Sequence, residues 1–220
     1  MQQAVIKPDD ESRRLRPLLD EGLEGLSLDL SEDQREALLA YLALLRRWNQ
    51  AYNLTAIDDG AEMVTRHLLD SLSILPWLDG DRVLDAGTGG GLPGVPLAIA
   101  CPDRRFWLVD SNGKKVRFLR QVRRELGLNN IEPMHSRLEQ LELSPPPTTV
   151  TARALAPLER LLAWHERWLD QGARLLAMKA RLGESECAAV PAAYNVDIHD
   201  LQVPGIDARR CLAVLSRKAA

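Results

Sequence analysis

Only three cysteines occur in the 220 residues, Cys101, Cys187 and Cys211, an odd number at no spacing used by metal ligands. That pattern argues against a disulfide framework and against a cysteine-based metal centre, so reduced thiols are expected. Long apolar runs are missing too. The longest candidate, Ala37 to Leu45, falls well short of the roughly 18 residues that would span a bilayer. The opening stretch MQQAVIKPDDESRR turns acidic where a secretory peptide would turn apolar. No internal repeat is visible, and SPPPTT at 144–149 is the one biased segment, read as a rigid surface connection. These absences leave a cytoplasmic protein with no membrane partner and no metal, a monomer by default, whose length suits one large domain carrying an appendage.

Net charge is −3, which argues against a general nucleic-acid binder. The distribution is uneven. Between Asn112 and Leu126 lie Lys114, Lys115, Arg117, Arg120, Arg123 and Arg124 against the single acid Glu125. One element is therefore strongly basic inside an otherwise acidic chain. Arg117, Arg120 and Arg124 fall on one helical stripe, while Val116, Leu119, Val122 and Leu126 recur on faces able to meet a sheet. A solvated helix face is the plain explanation of such a run, and a polyanion contact is the sharper one.

Residues 9–78 have helical texture. Ser31-x-x-Gln34 is a capping box ahead of the periodic Leu38, Leu39, Leu42, Leu45 and Trp48. A further helix is expected from near Asp59 until Pro76 stops it. From Arg82 onward short apolar runs alternate with helical patterns, which predicts a mostly parallel sheet with helices on both faces, and the last two runs read as an antiparallel strand pair. The expected organisation is an N-terminal helical extension, 1–78, packed on an α/β, Rossmann-like domain, 79–220.

The segment RVLDAGTGGGLPGVP ends a short strand in glycines and closes on Pro93 and Pro96, residues that a helix interior would reject. Gly89-x-Gly91-x-x-Gly94 fits a dinucleotide fingerprint, and Asp85-x-Gly87-x-Gly89-x-Gly91 fits an S-adenosylmethionine site equally well. Both cofactors carry an adenosine ribose, for which Asp110, after FWLV, is the expected acceptor. Asp85, two residues before the turn, favours a sulfonium cofactor over a negative pyrophosphate. SRLEQL places Leu138 and Glu139 where an adenine edge could be read. A turn serving only tight packing would leave Asp110 coincidental, and a nicotinamide oxidoreductase remains the rival enzyme.

A methyl transfer needs its acceptor lone pair held near the methyl carbon, and acceptors differ in the proton they must lose. Exocyclic amines call for Asn or Asp before Pro-Pro-aromatic after the fourth strand, and pyrimidine carbon chemistry calls for a cysteine there. The chain has Thr151, Ala152, Arg153 and Ala154 instead. A ring nitrogen with no proton to lose would need no general base. Upstream, Arg66, His67, Asp70 and Ser71 share a helical face, so that Arg66 or His67 could meet Asp70. Asn53 and Thr55 read as ordinary capping residues.

YNLTAI, RHLLDSL, VLDAGTGGGLPGVPLAI, LVDSNGKKVRFLRQV, SRLEQ, ARA and MKA, in this order and spacing, closely resemble the bacterial ribosomal RNA small subunit methyltransferase G family, also called glucose-inhibited division protein B. The likeness runs from about Leu39 to the C-terminus. It implies a class I S-adenosylmethionine-dependent methyltransferase fold with a seven-stranded sheet, acting on N7 of the guanine at position 527 of 16S rRNA in the small ribosomal subunit. It also implies that Gly87 and Leu92 line the S-adenosyl-L-methionine pocket, with Leu138 and Glu139 at the adenine and Arg153 near the reacting end. Asp85, Gly89, Gly91 and Asp110 extend the cofactor set, Arg153 and His67 are the candidate catalytic residues, and Asn53, His67 and Asp70 match family positions at one mouth. Lys114, Lys115, Arg117, Arg120, Arg123 and Arg124 are the candidate RNA contacts. Two departures are visible: the serine that usually leads Arg-Ala is missing, and Met178-Lys179-Ala180 replaces Leu-Lys-Gly. An acceptor in another RNA, a protein or a small molecule is the alternative.

Overall fold

The computed structural model describes residues 10–218, so the first nine residues of the expected extension, including most of the acidic opening stretch, lie outside the described residues. Helices α1 (Asp10–Gly25) and α2 (Glu32–Tyr52) come first. Ser31 caps α2 as its spacing predicts: its hydroxyl accepts from the Gln34 N–H, and the Gln34 carbonyl oxygen accepts from the Ser31 N–H. The Gln34 amide nitrogen then donates to the carbonyls of Ile99 and Ala100 at 3.0 and 3.1 Å. One side chain thus ends two helices, because those carbonyls belong to the last turn of α5 (Gly94–Ala100).

A short α3 (Gly60–Met63), capped by Asp59, runs through a π-helical turn (Val64–Leu69) into α4 (Asp70–Leu72). The helix expected to continue to Pro76 ends at Leu72, and Pro76 sits inside a separate 3-10 turn, Leu75–Trp77. Pro96 departs from expectation in the other direction: it lies within α5, in the first turn, where a backbone N–H has no helical partner to lose.

Seven strands follow: β1 (Arg82–Ala86), β2 (Arg105–Asp110), β3 (Ile131–His135), β4 (Thr149–Arg153), β5 (Arg174–Lys179), β6 (Tyr194–Asp200) and β7 (Cys211–Arg217). They form one sheet in the order β3-β2-β1-β4-β5-β7-β6. The first five are parallel, and β7 runs antiparallel to β5 and β6. Pro133 is tolerated because β3 is an edge strand. Helices α6 (Gly113–Glu125), α7 (Leu158–Leu169) and α8 (Glu184–Ala188) complete the chain.

Alternation along the strands divides the core. Val83, Phe106, Leu108 and Leu176 face α1, α2, α5, α6 and the 60–72 run, while Leu84, Trp107, Val109, Leu175 and Ala177 face α7. The N-terminal helices therefore share one apolar cluster with half of the sheet. Leu38, Leu42 and Leu45 of α2 are fully buried in it, each contributing about 1.5–3 kcal/mol. On the other face His165 is fully buried, donating from Nδ1 to the Leu161 carbonyl at 2.6 Å, and burial lowers its pKa to about 4.

Candidate functional site

The strand β1 delivers its last residues to the carboxyl edge of the sheet, next to the switch between β1 and β4 where the strand order reverses. Asp85 does not line a cavity there. It is 0% exposed, and its Oδ2 accepts from the Thr88 hydroxyl at 2.5 Å and from the Gly94 N–H at 2.8 Å, while Oδ1 accepts from the Thr151 hydroxyl at 3.0 Å. Burial pushes its pKa up to about 6, against the pull of those three donors and of the Arg153 charge. The residue expected to touch the cofactor is instead a strut that ties both ends of the glycine loop to β4.

Above this strut the loop is bare for two different reasons. Gly87 holds φ +65°, and a Cβ there would lie 2.5 Å from Leu155 Cδ1. Gly89 holds φ +61° in open space, with only Lys115 Nζ and the Gly87 carbonyl near the 4 Å limit, so its backbone faces the crevice. Gly91 does not reach the crevice; it packs against Val95 and Leu119. The loop is also held from the extension, since the buried Tyr41 hydroxyl donates to the Gly90 carbonyl at 2.7 Å. Sequence reasoning missed Tyr41, because a tyrosine in an apolar helical stripe reads as core.

Asp110, at the end of β2, accepts from the Gly89 N–H at 3.0 Å and from the Asn112 N–H at 2.8 Å, with Lys115 Nζ at 3.5 Å. Oδ2 faces both Gly89 and Lys115, and Oδ1, with one partner, keeps a lone pair for another donor. Lys115, read from sequence as one of the RNA contacts, thus turns inward to the crevice and leaves the outer face of α6.

The crevice has two lobes that meet at Gly87, Arg153 and Ala154. One, of about 550 Å³, is lined by Asp110, Lys115, Leu138, Glu139, Leu155 and Trp164. The other, of about 400 Å³, is lined by Thr55, His67, Asp70, Leu92, Lys179 and Arg210 among others. Arg153 Nη1 donates to Asp70 Oδ2 and to the Arg66 carbonyl, both at 3.0 Å. Asp70 Oδ1 accepts from Arg210 Nε at 3.2 Å.

This overturns the expected pairing within RHLLDS. Arg66 bonds Glu62 at 3.0 Å, and His67 Nε2 lies 2.8 Å from the Thr55 hydroxyl, leaving Asp70 to Arg153 of β4 and to Arg210, which precedes β7. Arg66 and His67 lie in the π-helical turn, and Asp70 is the first residue of α4. His67 is buried, with Nδ1 unpartnered, and burial together with the Arg153 charge lowers its pKa to about 4, so the imidazole is neutral at pH 7. Asn53 is not at this mouth. It ends α2 with φ 49° and lines a different polar hollow with Arg46, Arg47 and Asp58.

On α6 the apolar Val116, Phe118, Leu119 and Val122 are buried, and Lys114, Arg117, Arg120, Arg123 and Arg124 stand exposed. The acid of that helix, Glu125, is held by Arg47 at 3.1 Å, and Arg124 bonds Gln121. Arg210 was invisible to sequence reasoning, since it lies 140 residues from Asp70 and only the fold joins them.

A seven-stranded sheet in this order, with a glycine loop after β1, an acid closing β2 and an antiparallel final pair, defines a class I Rossmann-like methyltransferase. A solved magnesium protoporphyrin IX methyltransferase from Synechocystis PCC 6803 with bound SAM shares the fold, with a TM-score of 0.54 and 18% identity over 80% of this chain and 97% of that one. The chain belongs to the rRNA small subunit methyltransferase G (GidB) family, whose model matches residues 34–213. It is 50% identical to the ribosomal RNA small subunit methyltransferase G of Marinobacter nauticus, over 90% of this chain and 94% of that protein, and 48% identical to that of Pseudomonas syringae pv. syringae, over 91% and 94%.

Proposed function

We propose that this protein transfers the methyl group of S-adenosyl-L-methionine to N7 of a guanine in 16S rRNA of the small ribosomal subunit. S-adenosylmethionine supplies an electrophilic methyl carbon on a positively charged sulfur. The crevice fits such a molecule by its polar groups: bare backbone at Gly87 and Gly89, a free lone pair on Asp110 Oδ1 for a ribose hydroxyl, and Leu138 with Glu139 for an adenine edge. Arg153 stands where the two lobes meet, suited to a carboxylate. Leu92 supplies apolar wall to the second lobe.

The observation that carries the choice of acceptor is the state of the groups lining the second lobe. Asp70 is committed to two guanidiniums, His67 is neutral and buried, and the Cys211 thiol is pushed up by burial and donates to the Lys179 carbonyl. None is poised to remove a proton or to act as a thiolate nucleophile. A ring nitrogen such as guanine N7 has no proton to lose, and its methylation moves the positive charge from sulfur to purine. Arg153 and the neutral His67 are then positioning groups for the reacting end. In paired RNA that atom faces a deep, narrow groove, so the target base must lie in a loop or leave its stack. The exposed arginines of α6 suit the RNA backbone. The reading places the protein in the cytoplasm as a monomer whose residues 1–78 and 79–220 act as one unit.

The test incubates the purified protein with methyl-labelled S-adenosylmethionine and small subunits from cells lacking the gene, then digests the rRNA for mass spectrometry. Label in 7-methylguanosine is the expected result. Label in another base, in protein or in a small molecule overturns the assignment.

A further inference from the structure

The lobe of the crevice beside β5 and β7 is lined by four cations, Arg66, Arg153, Lys179 and Arg210, and by one acid, Asp70. Asp70 alone serves two guanidiniums, Arg153 at 3.0 Å and Arg210 at 3.2 Å, so the trio keeps one positive charge. Of the acids outside the lining, Glu62 is paired with Arg66 and Glu186 with Lys179, while the exposed Asp200, opposite Cys211 in register, and Asp207 point to no cation among the described residues. Arg210 is fixed through Nε on Asp70 and Nη1 on the Arg209 carbonyl, while Nη2 bonds no described residue. Arg181 follows the lining residue Ala180, and Arg209 precedes the lining residue Arg210. Both side chains are exposed and lack an ion-pair or hydrogen-bond partner among the described residues.

Such a surplus suits neither a neutral base nor a sulfonium, which is itself a cation. It suits an anion. The register Lys179↔Cys211 puts Arg209 and Arg210 at the same carboxyl edge from which α6 departs after β2. Between the two lie β1, β4 and β5, so four strand spacings, roughly 19 Å, separate these cations from the basic helix.

We infer that Arg181, Arg209 and Arg210 form a second phosphate-binding surface, which takes the RNA backbone on the side of the crevice opposite α6, with Arg210 holding the phosphodiester next to the target base. The inference rests on the RNA reading above. A single strand then bridges two cationic banks, and the nucleotide between them hangs over Gly87 and Arg153.

Filter binding of a 16S rRNA transcript across a sodium chloride series compares the wild type with the double variant Arg181→Gln, Arg209→Gln. At about 0.7 of slope per contact on single strands, the double variant lowers the slope of log affinity against log salt by about 1.4. Its calorimetric affinity for S-adenosylmethionine stays at the wild-type value. A steep wild-type slope that the double variant keeps overturns the inference and leaves the RNA reading standing; a wild type with no salt-dependent binding sinks both. Lost cofactor affinity in the double variant assigns these arginines to the cofactor, and overturns it too. Arg210→Gln raises the KM for RNA at least about tenfold with kcat little changed, and Arg210→Lys recovers part of it. A fall in kcat at constant KM removes Arg210 from the phosphate site.

Discussion

Asp85 and Asp110 sit at the ends of adjacent strands and have the same side chain, yet burial assigns them different tasks. Asp110 retains a lone pair on Oδ1, so Asp110→Ala is expected to weaken S-adenosylmethionine binding at least tenfold, about 1.5–3 kcal/mol for a charge-assisted acceptor, with little loss of folding stability. Isothermal calorimetry beside a urea titration checks both halves. Asp85→Ala should do the reverse, stranding the Thr88 and Thr151 hydroxyls and the Gly94 N–H, and lowering stability by about 3 kcal/mol or more. Sequence alone placed both acids at the ligand, because a motif records order along a chain and not which oxygen is already occupied.

Among the elements, α2 connects most of what matters. Tyr41→Phe deletes one buried hydroxyl and leaves the Gly90 carbonyl unpaired, so a stability loss of about 1 kcal/mol together with weaker cofactor binding is expected. A thermal-shift series with and without cofactor separates the two effects, and a loss of stability alone would detach Tyr41 from the loop's function. For α6, neutralising Arg117, Arg120 and Arg124 should lower the log-affinity versus log-salt slope for RNA by about 2; an unchanged slope returns that helix to a solvated face. The start of α2, the alternation after Arg82 and the final antiparallel pair were legible in the sequence, since capping and periodicity are local signals. The π-helical turn and the Asp70 node were not. The first depends on packing over the sheet, and the second on a partner 140 residues away.

Across the whole molecule, three buried groups couple stability to pH. His67 and His165 have folded pKa values near 4, below the ordinary 6.5, so their contribution is complete above pH 6.5 and is lost as pH falls toward 4. Asp85, raised to about 6, acts with the opposite sign: its contribution is complete below 3.8 and is lost as pH rises through 6. Between pH 6 and 4 the two histidines outweigh the one acid, leaving these groups a net loss of about 1.4 kcal/mol per pH unit on acidification. Asp85→Asn should therefore steepen the acid limb of a stability-versus-pH curve by about as much again. Denaturant midpoints at half-unit steps would show it, and an unaltered limb would remove the ionisable strut.

The apolar layer shared by the leading helices and half of the sheet also governs how the protein can be cut down. A fragment beginning at residue 79 would keep every glycine of the loop, yet it would bare a greasy scar of leucine, valine and phenylalanine along one side and clump before it could turn over. No working version of this enzyme can be made by removing the helices that share that layer.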